Sequence, residues 1–225
     1  MQRHFDQELD ELKNKLLAMG GHAEKSLNQS VEALVSRDDA LAASVKANDS
    51  ILDQLEIEID DLAIHLLSKA PLASDLRLIT VAMKISQNLE RVGDEATTIA
   101  RRALELNKEA QLKPYVDIPR MAGIAAEMLK AALDAFVNRE PDKARALIPR
   151  DKEVDEINRQ LHRELSSFMI ENPQNITLCL NLMVISKSLE RIADHATNIA
   201  EEVVYLYEAR DILHAKESPA PPSTP

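Results

Sequence analysis

Several residue types are scarce in this 225-residue chain, and each scarcity limits the range of folds that the chain can adopt. Trp is absent and aromatic residues make up 3%, so the core must be built from Leu, Ile, Val, Ala and Met. Only four Gly are present, and Ala, Leu, Glu, Lys and Arg dominate, as is typical of helical proteins. The single cysteine, Cys179, excludes an intrachain disulfide and is typical of a reducing compartment. We therefore expect an all-α protein with an aliphatic core.

Long apolar runs and a basic excess are also missing. The longest apolar stretch, LCLNLMVI at 178–185, is far too short to span a bilayer. The N-terminal MQRHFDQELDELK is charged and lacks the apolar segment of a signal peptide. The net charge of −11 argues against nucleic acid, which requires a basic face, and suits cations or basic protein surfaces. These absences predict a cytoplasmic protein with no membrane insertion and no nucleic-acid partner.

The chain contains an internal duplication. LERVGDEATTIA at 89–100 returns as LERIADHATNIA at 189–200, with eight of twelve positions identical. The match extends outward at an offset of 102 before the prolines Pro71 and Pro173, and at an offset of 100 after them. A turn absorbs the two-residue difference at little cost. We infer two repeats at 1–107 and 118–214, joined by a linker at 108–117.

Turn residues divide each repeat into three helices, because the breaks SRDD, KAPLAS, NREPD and ENPQN are rich in Pro, Asn, Asp and Ser. The predicted helices lie near 2–36, 38–69, 73–107, 118–138, 141–170 and 174–214. In the third helix of each repeat, apolar residues alternate spacings of four and three, as in bundle packing. We call this apolar stripe the seam of the helix. The sequence thus predicts two tandem three-helix bundles, followed by a disordered Pro-rich tail at 215–225. Close helix approach is the expected reason for Gly20, Gly21 and Gly123.

Paired acids occur twice in each repeat, spaced four apart. Glu90 and Asp94 lie at 100° and 140° from the seam residue Leu89 on a helical wheel, so we expect them on the outer surface. The second helix carries Asp49 and Asp53 beside its seam. Because helices two and three should pack antiparallel, the two pairs can meet along their shared groove. The matching acids of the second repeat are Asp151, Asp155, Glu190 and Asp194.

A cation site is one of several explanations for these acids. A single E-x-x-x-D is most often solvated surface, and duplication alone could copy such a feature. Four matched pairs favour oxygen ligands for a hard cation, or for Fe, Mn or Zn with waters completing the shell. A carboxylate-bridged di-metal enzyme and a metal-storage protein are the alternatives. The Glu-x-x-His motif of di-iron bundles is absent beside these pairs, which counts against an oxidase.

The motifs LERVGD, LERIADH, MGG at 19–21 and PLASDLR at 71–77, with the doubled acidic pairs, resemble the PhoU family of phosphate-transport and phosphate-signalling regulators. The resemblance runs from about residue 5 to 212. It implies a cytoplasmic, non-enzymatic homodimer that acts as a negative regulator of the phosphate regulon. Its implied partners are the phosphate ABC transporter ATPase and the phosphate sensor histidine kinase.

The resemblance also implies multinuclear iron, zinc or manganese clusters held by surface E(D)-x-x-x-D motifs. Carried over residue by residue, the metal ligands would be Asp49, Asp53, Glu90, Asp94, Asp151, Asp155, Glu190 and Asp194. All eight positions are acidic in this chain, so the motif keeps its ligands. The second repeat departs elsewhere, since NPQNITLCL stands where the first has PLASDLRL, and any role of Asp75 and Arg77 exists only once.

Overall fold

The computed structural model describes residues 2–69 and 72–208, and within these ranges the chain forms helices and turns but no strand. Single 3₁₀ turns at Ile148–Arg150 and Pro173–Asn175 precede the last two helices. The helices are α1 (Gln2–Ser36), α2 (Asp39–Leu67), α3 (Ala73–Leu106), α4 (Asp117–Asn138), α5 (Pro141–Leu147), α6 (Asp151–Glu171) and α7 (Ile176–Glu208). No described helix combines the length and the apolar content needed to cross a bilayer. The predicted helix end at 214 and the tail at 215–225 lie outside the described residues.

The helices form the two tandem three-helix bundles that the sequence predicts. Helices α1, α2 and α3 pack on one another, as do α4, α6 and α7, with α5 lying on α4 and α7. The bundles meet where α3 packs on α7 and α1 on α4. Lys84 pairs with Glu202 at 2.8 Å and Glu95 with Arg191 at 3.0 Å, so α3 and α7 run antiparallel. This central pair joins the two repeats.

The second helix of the second repeat differs from its prediction. One continuous helix was expected at 141–170, but the structure has the short helix α5, a 3₁₀ turn and then α6. Pro149 lies in that turn, where it lacks an N–H for the helical ladder and its ring obstructs the preceding turn. The equivalent position in the first repeat is Ala47, and α2 continues through it. Asp151 consequently becomes the first residue of a new helix.

The regular seams of α3 and α7 are buried as predicted. Leu89 and Leu189 are both fully buried, and the neighbouring seam residues follow them into the core. Cys179 is fully buried as well and packs as a small core residue. The seams hold each bundle together, and they leave the polar faces of both helices to form grooves with their neighbours.

The glycines of α1 and α4 do not share one explanation. A Cβ on Gly20 would lie 2.4 Å from Leu133 Cδ1, so this position does permit a close approach of α1 to α4. A Cβ on Gly21 or on Gly123 would meet nothing within 4 Å. The expectation of close packing is therefore right for Gly20 and wrong for the other two.

An arginine with a left-handed backbone ends the first helix of each repeat. Arg37 has φ 57° and Arg139 has φ 58°, at matching positions of the duplication. The Arg37 guanidinium donates hydrogen bonds to the carbonyls of Asn107 and Glu109, both at 2.6 Å. This contact fixes the chain that leaves α3 toward the second bundle.

Candidate functional site

The first acidic groove lies between α2 and α3 and contains Asp49, Asp53, Glu90 and Asp94. These helices approach closely at Gly93, where a Cβ would lie 2.3 Å from Leu52 Cδ1 and 3.7 Å from Asp49 Oδ1. The missing side chain of Gly93 thus brings the acidic stripe of α2 beside the acidic pair of α3. The antiparallel packing expected from the sequence places the two pairs in one groove.

The acids of α3 are less exposed than the helical wheel suggested. The Glu90 side chain is 17% exposed and that of Asp94 is 46% exposed. The wheel is correct that both point away from the α3 seam, but α2 covers this flank. The expected outer-surface position is therefore wrong for Glu90, which lies in the groove wall.

Burial and mutual repulsion perturb the first groove. Loss of hydration, followed by the Asp94 carboxylate, raises the pKa of Glu90 to about 7, although Arg91 opposes the shift. Desolvation also raises the pKa of Asp49, with Asp53 and Asp94 adding to it and a hydrogen bond from Thr97 opposing it. The carboxylates of α2 and those of α3 therefore interact electrostatically across the groove.

Two further acids extend this groove along α2. Burial raises the pKa of Glu56, and Asp60 contributes in the same direction. Glu56 also repels Glu90 across the groove. The first groove is thus more acidic than its four predicted ligands alone would make it.

The second acidic groove lies between α6 and α7 and contains Asp151, Asp155, Glu190 and Asp194. Loss of hydration, followed by the Glu190 and Asp155 charges, raises the pKa of Asp194 to about 6, although Asp194 lies at the exposed rim of the groove. Desolvation raises the pKa of Asp155, with Glu190 and Asp151 adding to it. The duplicated acids therefore also converge in the second bundle.

Basic side chains lie close to the acids of both grooves, and in the second groove both Lys187 and Arg159 act on Asp155. Arg91 Nη1 lies 3.1 Å from Asp94 Oδ2, and Arg91 Nε lies 3.4 Å from Glu90 Oε2. Lys187 forms an ion pair with Glu190 in the second groove. Both basic groups are about half exposed, so solvent screens these pairs and neither neutralises its groove.

The donor chemistry of the grooves suits cations, although the side chains do not enclose one. In the described part of the chain, no three His, Cys, Asp or Glu side chains are placed so that they could share a metal ion. Asp151 Oδ1 is nevertheless buried without a hydrogen-bond partner. Such an oxygen gains from a cation, and in both grooves desolvation and neighbouring carboxylates oppose the ionisation of the acids.

The histidines near the grooves have other partners. His162 Nε2 lies 3.2 Å from Ser186 Oγ, and His195 Nδ1 lies 3.0 Å from Asn88 Oδ1 on the opposite bundle. Burial lowers the pKa of His195, which favours its neutral form. Neither residue joins the acids of its groove.

Sequence reasoning missed two residues that affect the grooves. Lys187 stands three residues before Glu190, and this i, i+3 spacing could have revealed the ion pair. Thr97, three residues after Asp94, hydrogen-bonds to Asp49. A polar residue one turn beyond an acidic pair gives no distinctive signal, so only the packing of α2 on α3 identifies it.

Comparisons with known proteins agree with the duplicated fold. The family model described as "PhoU domain" matches residues 16–103 and again residues 118–203. The Pseudomonas aeruginosa "Phosphate-specific transport system accessory protein PhoU homolog" is 41% identical over 214 residues, covering 94% of this chain and 88% of that protein. The Rhizobium meliloti protein of the same description is 42% identical over 204 residues, covering 90% and 86%.

Two crystal structures match the whole double bundle. PhoU from Pseudomonas aeruginosa superimposes with a TM-score of 0.89 at 41% identity, covering 92% of this chain and 100% of that one. The phosphate transport system regulatory protein PhoU from Streptococcus pneumoniae gives 0.87 at 30% identity, covering 92% and 99%.

Proposed function

This chain belongs to the PhoU family, and on that basis we propose that it is a negative regulator of phosphate uptake and of the phosphate regulon. The observation that carries the proposal is the match, along nearly the full length of both chains, to proteins named as accessories of phosphate-specific transport. The regulator acts without turnover, as an adaptor between the phosphate ABC transporter ATPase and the phosphate sensor histidine kinase. Its net charge of −11 suits basic surfaces on these partners.

The regulatory role is tested by deleting the gene in its native host. We expect alkaline phosphatase to be expressed in high phosphate in the deletion strain, and to be repressed again when the wild-type gene is returned. Continued repression in the deletion strain would contradict the proposal. The native host is the right setting, because its transporter and kinase match this chain.

The adaptor role is tested with purified partners. We expect the chain to bind both the ATPase subunit and the cytoplasmic part of the kinase in titrations followed by light scattering. Because the contact is electrostatic in part, binding should weaken as salt is raised. Binding to neither partner would exclude the adaptor role even if the genetic test succeeded.

We also propose that the two grooves hold iron, zinc or manganese in multinuclear clusters. The ligands would be Asp49, Asp53, Glu90 and Asp94 in the first groove, and Asp151, Asp155, Glu190 and Asp194 in the second. Bound cations would offset the repulsion among the carboxylates of each groove, and would fix α2 against α3 and α6 against α7. Support comes from the raised pKa values and from the unpartnered Asp151 Oδ1.

Elemental analysis tests the metal proposal. Freshly purified wild-type protein should contain a transition metal, and the double variant Glu90→Ala/Glu190→Ala should lose most of it. The matched control is Glu32→Ala/Asp134→Ala, which removes exposed acids at equivalent positions of α1 and α4. Equal metal content in both double variants would refute these sites. Phosphoester hydrolysis or O₂ consumption abolished by Glu90→Ala would instead favour a di-metal enzyme.

A further inference from the structure

Buried oxygens without a hydrogen-bond partner are concentrated in the second acidic groove. Three side chains of α6 and α7 contain such an oxygen, namely Asp151 (Oδ1), Asn158 (Oδ1) and Thr197 (Oγ1). Asn158 is 7% exposed and Thr197 is 8% exposed. A buried oxygen that has lost its water without gaining a donor costs free energy, so three of them in one groove require an explanation.

The packing of α6 on α7 shows what these oxygens face. His162 Nε2 lies 3.2 Å from Ser186 Oγ, which fixes one facing pair of the two antiparallel helices. One helical turn along, four residues back on α6 and four residues on along α7, Asn158 faces Glu190. The amide oxygen of Asn158 is therefore directed into the groove, beside one of its acids.

Two turns further along, the same register places Asp151 opposite Thr197. Their counterparts in the first groove, Asp49 and Thr97, are joined by a hydrogen bond. The second-groove pair has no such bond, since both of its oxygens lack a partner. Asp151 begins α6 after the break at Pro149, whereas Asp49 lies within α2. The pair that is closed by a hydrogen bond in the first groove is thus open in the second.

The unpartnered oxygens are of the types that coordinate hard cations. Carboxylate, carbonyl and hydroxyl oxygens suit Mn²⁺, whereas Zn²⁺ gains more from nitrogen and sulfur ligands. At the position of Asn158 the first groove has the carboxylate of Glu56. The second groove therefore offers neutral oxygens beside its acids, and these add ligands without adding to the repulsion among the carboxylates.

We propose that Thr197 and Asn158 are cation ligands at the two ends of the second groove, directly or through a bound water. Each shares its cation with the acid that it faces, Asp151 or Glu190. The two facing pairs are seven residues apart on each helix, or about 10 Å, so they serve two cations rather than one. These neutral ligands make the second groove prefer Mn²⁺ over Zn²⁺ more than the first groove does. The inference rests on the proposed metal binding and adds which cation each groove selects.

Competition between Mn²⁺ and Zn²⁺ on the full chain tests the selectivity. The variant Glu90→Ala/Asp94→Ala keeps the acids of α3 out of the first groove, and Glu190→Ala/Asp194→Ala does the same for the second. Metal-free protein is titrated with Mn²⁺, free Mn²⁺ is followed by electron paramagnetic resonance, and Zn²⁺ is then added. The second groove should need about tenfold more Zn²⁺ than the first to release its Mn²⁺. Equal release from both grooves would overturn the proposal.

The two ligands are tested in the variant that keeps only the second groove. Thr197→Val and Asn158→Leu should each weaken Mn²⁺ binding about tenfold and change Zn²⁺ binding less. The matched control is Thr97→Val, which removes the equivalent hydroxyl from the disabled groove and should leave the Mn²⁺ affinity unchanged. Unaltered Mn²⁺ affinity in Thr197→Val and Asn158→Leu would mean that water alone satisfies these oxygens, and would refute the proposal.

Urea denaturation separates a lost ligand from a damaged fold. Thr197→Val removes an oxygen that has no partner, so in EDTA it should raise the urea midpoint above that of wild type. In saturating Mn²⁺ it should lower the midpoint below that of wild type, because less binding energy is gained. Thr97→Val should lower the midpoint in both conditions, since Thr97 donates a hydrogen bond to Asp49. A lowered midpoint of Thr197→Val in EDTA would contradict the open pair.

Failure of this inference is distinguishable from failure of the proposed metal sites. Mn²⁺ binding in the second groove that is indifferent to both Thr197→Val and Asn158→Leu keeps the metal proposal and refutes the two ligands. Absence of Mn²⁺ and Zn²⁺ binding from both grooves refutes the two together. Repression of alkaline phosphatase is measured separately and decides neither.

Discussion

The two acidic grooves began as copies and now differ in charge. The first groove adds Glu56 and Asp60 to its four predicted ligands, whereas the second has Asn158 and His162 at those positions. The pKa of Glu90 is raised to about 7 in the first groove, and that of Asp194 to about 6 in the second. Duplication kept the acids that could bind a cation and changed their surroundings, so the two grooves need not bind alike.

The equivalent arginines Arg91 and Arg191 have different partners, because the residues that face them on the opposite bundle differ. Arg191 reaches across to Glu95 at 3.0 Å, so it is diverted from its own groove. His195 replaces Glu95 in the second repeat and offers Arg91 no carboxylate. Arg91 accordingly stays with Glu90 and Asp94. One substitution thus changes the counter-charge of a groove in the other repeat.

The largest expected effect concerns the packing beneath the grooves. In the first repeat Leu52 packs against Gly93, and the second repeat has Val154 and Ala193 at the equivalent positions. Gly93→Ala drives a Cβ into Leu52, which should cost about 2 kcal/mol of overpacking against about 1 kcal/mol gained in helix propensity. Leu52→Val alone removes a buried methylene and should cost about 1 kcal/mol.

The double variant Leu52→Val/Gly93→Ala has the same residue pair as the second repeat, and it should be at least as stable as wild type. Urea denaturation of all four proteins gives the coupling free energy, expected to be about 2 kcal/mol. Additive effects would show that the shorter valine does not relieve the contact with the new Cβ.

The second expected effect is a pH dependence that is stronger in the first groove. Glu90 has a pKa near 7 when folded and an ordinary value of 4.5 when unfolded, so folding takes up protons between these values. When a chelator has removed any bound metal, the free energy of unfolding should therefore fall as pH rises from 4.5 to about 7. Glu90→Gln should flatten this slope and stabilise the protein above neutral pH by about 1 kcal/mol, after discounting for solvent screening.

Urea denaturation at a series of pH values from 4.5 to about 7 measures this slope. Asp194→Asn should flatten a window that lies lower, between 3.8 and about 6, because its groove raises the pKa to a lower value. Glu32→Gln, an exposed acid outside both grooves, is the control and should leave the slope unchanged. An unaltered slope in Glu90→Gln would place the linkage elsewhere.

A smaller effect is expected on cation affinity. Glu56→Asn gives the first groove the uncharged side chain of the second, and should weaken Mn²⁺ binding there about fivefold, or about 1 kcal/mol. Lys187→Gln gives the second groove the residue that the first has at position 87, and should strengthen its binding by a similar factor. Isothermal titration calorimetry measures both. If neither variant changes the affinity, the charge difference between the grooves has no bearing on cation binding.

The smallest expected effect compares glycines that are equivalent in the two repeats. Gly21 and Gly123 both face open space, so Gly21→Ala and Gly123→Ala should each stabilise by about 0.5–1 kcal/mol through helix propensity. Gly20→Ala should instead destabilise, because its Cβ meets Leu133. Thermal unfolding monitored by circular dichroism distinguishes the two signs. Destabilisation at Gly21 would indicate a neighbour that the single chain does not contain.

The duplicated fold could be read from the sequence because its signals are local. Three signals are visible without knowledge of the packing: the periodicity of the seams, the breaks at Pro and Asn, and the nearly constant offset of the repeat. Pro149 is also a local signal, since proline inside a helical pattern ends a helix. The apolar pattern continues on both sides of Pro149, however, and by itself favours one continuous helix.

The grooves were only partly predictable, because their properties depend on which helix covers which face. The spacing of Glu90 and Asp94 shows one helical face, but the burial of Glu90 requires the close approach at Gly93. The Arg191–Glu95 contact joins residues of different bundles, and no local pattern reports it. Whether cations bind stays a prediction, since side-chain spacing alone does not fix a coordination shell.

The packing of α3 on α7 also has an evolutionary consequence. A single repeat on its own would leave a long flank of its third helix bare to water, and two such chains would cover it by pairing with each other. Because both repeats lie in one chain, equivalent positions on the two sides of this helix pair can differ. Lys84 forms an ion pair with Glu202 across it, whereas the equivalent residues Val184 and Arg102 cannot.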